Sequence, residues 1–148
     1  MKIFEIGILN HFGQPIARRT QQESFTKDPA LFSGIFLSIQ YCLKQCYEDI
    51  AEEMVFGKKT IHCRAIHSEE DKSKFILLYA ITKNQINEKK IREIFGKIKR
   101  QINFEEIFSL ESFYDFSRYE HLNLILDNLL LKEKFSWKDL LDVFRRER

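Results

Sequence analysis

The sequence predicts an α+β (α/β) domain: one antiparallel sheet with helices on both faces, followed by a C-terminal helical extension. Three observations carry this. The segments "KIFEIGIL" (2–9) and "KFILLYAIT" (74–82) are apolar at nearly every position, the pattern of strands buried on both sides. Strand-like segments are joined by short turns, which suits antiparallel neighbours. Two segments with helical periodicity, 28–47 and 87–102, follow the second and the last strand.

Composition agrees with a single domain. The chain has 148 residues, 44% hydrophobic and 31% charged, enough to bury a core and too apolar for disorder. Its longest apolar runs fall far short of the roughly 20 residues of a membrane-spanning helix. The N-terminus reads as a strand interrupted by Glu5, Gly7 and Asn10, not as a secretory signal, so a cytoplasmic location is expected. Three cysteines make no disulfide framework and suit a reducing compartment. A net charge of +2 is too small to imply a nucleic-acid partner, and none is expected.

The stretch "GILNHFGQPIARR" (7–19) brings a glycine, a histidine and paired arginines together. A phosphate-binding loop feeds a helix N-terminus, whereas this loop feeds the polar strand "QPIARRT" (14–20), whose proline belongs on a sheet edge. The stretch therefore reads as a hairpin, with Gly13 at positive φ and a local bulge.

The first helix starts at Asp28 as N-cap with Pro29 at its first position. Leu31, Phe32, Ile35, Phe36, Ile39, Cys42, Leu43, Cys46 and Tyr47 form its broad apolar stripe and are expected to face the core. The strands 52–57, 59–67 and 74–82 follow, joined by Gly57-Lys58 and by "SEEDKS". The second helix has Asn87 as N-cap, Ile86 as a staple onto Ile91, and a stripe of Ile91, Ile94, Phe95, Ile98 and Ile102. Capping-box spacing at Ser117 and at Ser136 marks short helices over 117–131 and 136–148. A soft boundary near residue 104 separates an αβ domain, 1–104, from a helical extension, 105–148, that packs on it.

No reaction chemistry is apparent. The five glycines are isolated, and no nucleophile-elbow, phosphate-loop, dinucleotide or H-E-x-x-H pattern occurs. Cys42 and Cys46 lie one helical turn apart inside the apolar stripe and read as core residues, and His62 reads as a surface residue, so zinc spacing is absent. No catalytic residue, metal ligand or cofactor is assigned, and an enzyme is not expected.

Two surfaces remain. Lys89, Lys90, Arg92, Lys97, Lys99 and Arg100 fall outside the stripe of the second helix, against only Glu88 and Glu93. That positive face, with Lys89, Arg92, Lys97 and Arg100 as its contact set, suits an anionic membrane or an acidic partner; a plain solvated face is the other reading. On the first helix, Ala30, Gly34, Leu37 and Tyr41 form a second stripe away from the core stripe. It is expected to be the partner-binding face, its cover open among the C-terminal helices, a second copy, a different protein, or solvent.

The order strand, strand, helix, three strands, helix resembles the longin and roadblock-like superfamily. The first hairpin "IGILNHFGQPIARR", the helix "DPALFSGIFLSIQYCLKQ", the hairpin "VFGKKTIHCRAI" and "FILLYAITK" leading into "NEKKIREIFGKI" carry it, over residues 2–104. The resemblance implies a sheet ordered 2-1-5-4-3, with the first and last strands central. It also implies a non-enzymatic platform that regulates or scaffolds small Ras-like GTPases, or serves vesicle trafficking and adaptor complexes, often as a homo- or heterodimer. Peripheral membrane contact would suit such a role. A rival class is a small-molecule sensor of the PAS or GAF type, with its ligand between sheet and helix; Phe32, Phe36 and Leu43 fill that space.

Overall fold

The computed structural model describes residues 3–20, 28–83, 88–108 and 120–134. In chain order the elements are β1 (Ile3–Asn10), β2 (Pro15–Thr20), α1 (Pro29–Tyr47), β3 (Glu53–Phe56), β4 (Lys59–His67), β5 (Phe75–Lys83), α2 (Glu88–Gln101), α3 (Phe104–Phe108) and α4 (Glu120–Lys134). The strands form one antiparallel sheet ordered β2-β1-β5-β4-β3, so the two apolar strands β1 and β5 are central.

Both faces of the sheet are covered. Ile76, Leu78 and Ala80 of β5 point into a cluster with Ile6 and Ile8 of β1, Ile91, Ile94, Phe95 and Ile98 of α2, and Leu122 and Leu126 of α4. Leu77, Tyr79 and Ile81, alternating with them, point the other way, onto Phe32, Phe36 and Leu37 of α1. Strict alternation along β5 with both sets buried is why its sequence reads as one continuous apolar run.

The first hairpin closes as its residues dictate. Gly13 has φ +78°, and its N–H donates to Asn10 O at 3.0 Å. The Asn10 side chain accepts from the N–H groups of Phe12 (3.0 Å) and Gln14 (2.9 Å), occupying donors an anion would otherwise find. The register shifts between Ile8 and Leu9, which is the expected bulge. Edge strand β2 is covered by α4: Asn123 Oδ1 accepts from the Arg18 N–H at 3.3 Å, and Arg19 pairs with Asp127 at 3.0 Å.

Asp28 caps α1 by accepting from the Leu31 N–H at 3.0 Å, with Pro29 in the first turn. The stripe of α2 is buried as its periodicity predicts. The short helix α3 was not foreseen; its Phe104, Ile107 and Phe108 close the same core. The third expected helix, 117–131, is described over Glu120–Lys134. Asn87, Ile86, Ser117 and the helix expected over 136–148 lie outside the described residues.

Candidate functional site

The first helix does not present the face its apolar stripe predicts. Phe36 is buried, and Phe32, Leu37 and Leu43 are half-buried. Ser33 and Gln40 are buried on that same side. The outward side carries Leu31 (59% exposed), Ile35 (53%) and Ile39 (42%), along with exposed Cys42, Cys46 and Tyr47. The expected core placement of these six residues is therefore corrected: α1 is rotated so that polar Ser33 and Gln40 face inward.

The physical reason is a backbone group that needs partners. The Gln40 side chain donates from Nε2 to Ala51 O and accepts through Oε1 from Ala51 N–H, both at 2.8 Å. It thereby satisfies the loop that leads into β3, an interaction worth more in the interior than one further aliphatic contact. Beneath the other end of α1 lies the hairpin turn: a Cβ on Gly13 would meet Leu37 Cδ2 at 3.0 Å.

The proposed partner stripe is divided accordingly. Gly34 and Tyr41 are exposed, Leu37 packs on the sheet, and the side chain of Ala30 lies outside the described residues. What the outer face does offer is an open groove of about 590 Å³ lined by Leu31, Gly34, Ile35, Ser38, Ile39 and Cys42. Small residues at 34, 38 and 42 run beside the ridge 31-35-39, a surface into which another backbone can pack closely. No charged residue occurs from Pro29 to Leu43, so covering this face strands no ion. Charge-free outer positions were legible in the sequence; which apolar side faced outward was not.

Beneath α1 the sheet holds a buried polar cluster that sequence reading missed. The phenol of Tyr79 donates to Glu5 Oε2 at 2.8 Å, and Arg18 donates to Glu5 Oε1 from Nη2 at 2.8 Å and Nε at 3.1 Å. Burial, then the neighbouring Glu5 charge, pushes the Tyr79 phenol well above its usual range, so it stays a donor. Phe32 and Phe36 pack on the Tyr79 ring at 5.6 and 6.1 Å between centroids. A glutamate and a glycine in an otherwise apolar strand were the available signal.

His62, read from sequence as a surface residue, is buried. Its Nε2 is 2.9 Å from Thr82 Oγ1 and its Nδ1 3.5 Å from Glu53 Oε1 across the β3–β4 pair. Burial lowers its pKa, and Glu53 opposes the shift. Thr82, at the inner end of this carboxylate–imidazole–hydroxyl series, is wholly buried. The thiol of Cys63 is pushed up to about 12 by burial, which favours its protonated form.

The basic residues of α2 lie on the opposite side of the sheet from α1. Arg92 and Arg100 are exposed and Lys97 half-buried. Arg92 pairs with Glu88 at 3.4 Å, one turn away, and Lys89 has interactions of its own.

No family model matches the chain, and no curated protein matches it. Among solved structures it is similar to Myxococcus xanthus MglB, at 13% identity and a TM-score of 0.40, over 57% of this chain and 68% of that one. Among the described residues, no helix is long and apolar enough to cross a membrane.

Proposed function

We propose that the chain is a non-enzymatic interaction platform that regulates or scaffolds a small Ras-like GTPase, in trafficking or adaptor assemblies, and that it takes its partner on the outer face of α1. The carrying observation is that face: Leu31, Ile35 and Ile39 exposed beside Gly34 and Ser38, with no charge from Pro29 to Leu43. Interface centres are depleted of charge in this way. The sheet order β2-β1-β5-β4-β3 supports the GTPase reading, because the sequence resemblance implies that order. The basic face of α2 lies on the far side of the sheet, where an anionic membrane could be met while α1 is engaged.

The test is binding of the full chain to a panel of Ras-like GTPases in GDP and GTP-analogue forms, with Cys42 alkylation as a footprint. A cognate GTPase slows alkylation of Cys42, and Ile35→Asp abolishes both binding and protection while the fold persists. Failure of every GTPase to bind, or binding that survives Ile35→Asp with Cys42 still reactive, overturns the proposal.

A further inference from the structure

Between the C-terminal part of α1 and strands β4 and β5 lies a cavity of about 180 Å³. Its inner wall is apolar, with Ile50, Ala65 and Leu77, and at its rim exposed Tyr41 meets Phe75 in a tilted contact at 6.4 Å between ring centroids. At the mouth stand Lys44, Lys72 and His67, and among the described residues no acidic one lines the cavity. Several polar groups there are already engaged. Gln40 is held by Ala51, the Lys44 ammonium donates to Glu48 O at 3.0 Å, and Ser73 donates to Asp71. Lys44 can keep a carbonyl contact and still offer its remaining protons, since an ammonium has three.

Size and polarity together select a ligand. An apolar cavity of roughly 150 Å³ is known to hold a benzene ring, so this one accommodates a single ring with a small substituent. The aromatic walls favour a planar, polarisable body, and two lysines at the mouth favour an anionic head. We infer that this cavity is a binding site for a small aromatic carboxylate, with the ring on Ala65 and Leu77 against the Tyr41–Phe75 pair and the carboxylate outward, toward Lys44 and Lys72. The site is independent of the GTPase-docking face: a chain that binds no GTPase still binds the acid.

The probes are benzoate, the neutral benzyl alcohol and the non-aromatic acetate, titrated into the full chain and followed by amide chemical shifts. Benzoate is expected to saturate and to move Ala65, Phe75 and Leu77, with benzyl alcohol and acetate each at least about tenfold weaker, the ratio of one lost charge-assisted contact or one lost ring. The double variant Lys44→Gln, Lys72→Gln, on exposed side chains, weakens benzoate about tenfold and leaves benzyl alcohol unchanged. Ala65→Leu fills the cavity from β4 and removes binding of both. The inference is overturned by benzoate shifts that do not saturate by roughly 10 mM, by equal binding of benzyl alcohol or acetate, or by benzoate binding that survives Ala65→Leu.

Discussion

Replacing Gly7 with alanine adds one methyl group to a central strand, and elsewhere such a change would stabilise the chain by about 0.4–1 kcal/mol through the unfolded state. Here the sign reverses. Gly7 stands opposite Tyr79 on β5 and Arg18 on β2, and the Tyr79 ring crosses directly over it to reach Glu5. A Cβ on residue 7 would fall 2.5 Å from Cζ and Oη of Tyr79 and closer still to Cε1. The ring has little room to retreat, because Phe32 and Phe36 pack on it and its residue is wholly buried. Overpacking of this kind costs about 1–3 kcal/mol. Displacing the ring also breaks its hydrogen bond to a carboxylate whose side chain is 0% exposed, a loss of about 1.5–3 kcal/mol. After the gain from the unfolded state, the net cost is about 2–5 kcal/mol, or a fall in melting temperature of roughly 4–20 °C for a chain of this length.

The assay is urea or thermal unfolding of Gly7→Ala in three backgrounds. With Tyr79 present the full cost is expected. In Tyr79→Phe the clash with the ring remains while the hydrogen bond is already gone, so the cost falls by the hydrogen-bond share. In Tyr79→Leu no ring spans residue 7, and Gly7→Ala becomes neutral or stabilising. An equal loss in the native and Tyr79→Leu backgrounds would refute the argument, since the penalty would then have nothing to do with the ring.

Cysteine reactivity separates the two sides of α1: Cys42 and Cys46 are exposed and react with a thiol reagent in the folded chain at pH 8, while Cys63, buried and with its thiol pushed up to about 12, reacts only on unfolding; labelling of all three at one rate contradicts the rotation of the helix. His62 and His11 both have pKa values lowered from the ordinary 6.5, chiefly by burial, so the unfolded chain binds more protons below that pH. Their stabilising contribution is complete above about pH 6.5 and is lost as pH falls through the lowered folded values, so the urea midpoint drops between about pH 7.5 and 5.5, and less in His62→Gln; a midpoint that rises on acidification refutes the sign. Gln40→Leu makes α1 more apolar yet is expected to cost about 1–3 kcal/mol, because Ala51 loses a donor and an acceptor at once; a stabilised variant would show that the Gln40–Ala51 pair does not set the rotation of α1.

How much was legible depended on where the competing information lay. The stripe of α2 was read correctly because charged and polar residues fill most of the rest of that helix, leaving one orientation. The hairpin was read correctly because Gly13 and Pro15 each exclude alternatives through their own backbones. For α1 neither kind of exclusion operates. Both of its sides are apolar, and its rotation is decided by Ala51, a residue whose backbone pairing with Gln40 no periodicity announces. His62 was misplaced for the same reason, since its partner Thr82 lies twenty positions away on a neighbouring strand.

The position of the later helices follows from the two-sided burial of β1 and β5, and it bears on function. Among the described residues, one face of the sheet is covered by α1, through Phe32, Phe36 and Leu37. The other needs more cover, because Ile6, Ile8, Ile76 and Leu78 extend beyond what the stripe of α2 can bury, and α3 and α4 supply it with Phe104, Ile107, Leu122 and Leu126. The pairing of Arg19 with Asp127 and of the Arg18 N–H with Asn123 fixes α4 on the β2 side of that second layer. Among the described residues, then, the helices that follow the sheet are used up on the face opposite α1. The extension that was a candidate to cover the first helix is, over residues 120–134, engaged elsewhere, and the ridge of Leu31, Ile35 and Ile39 is left facing outward.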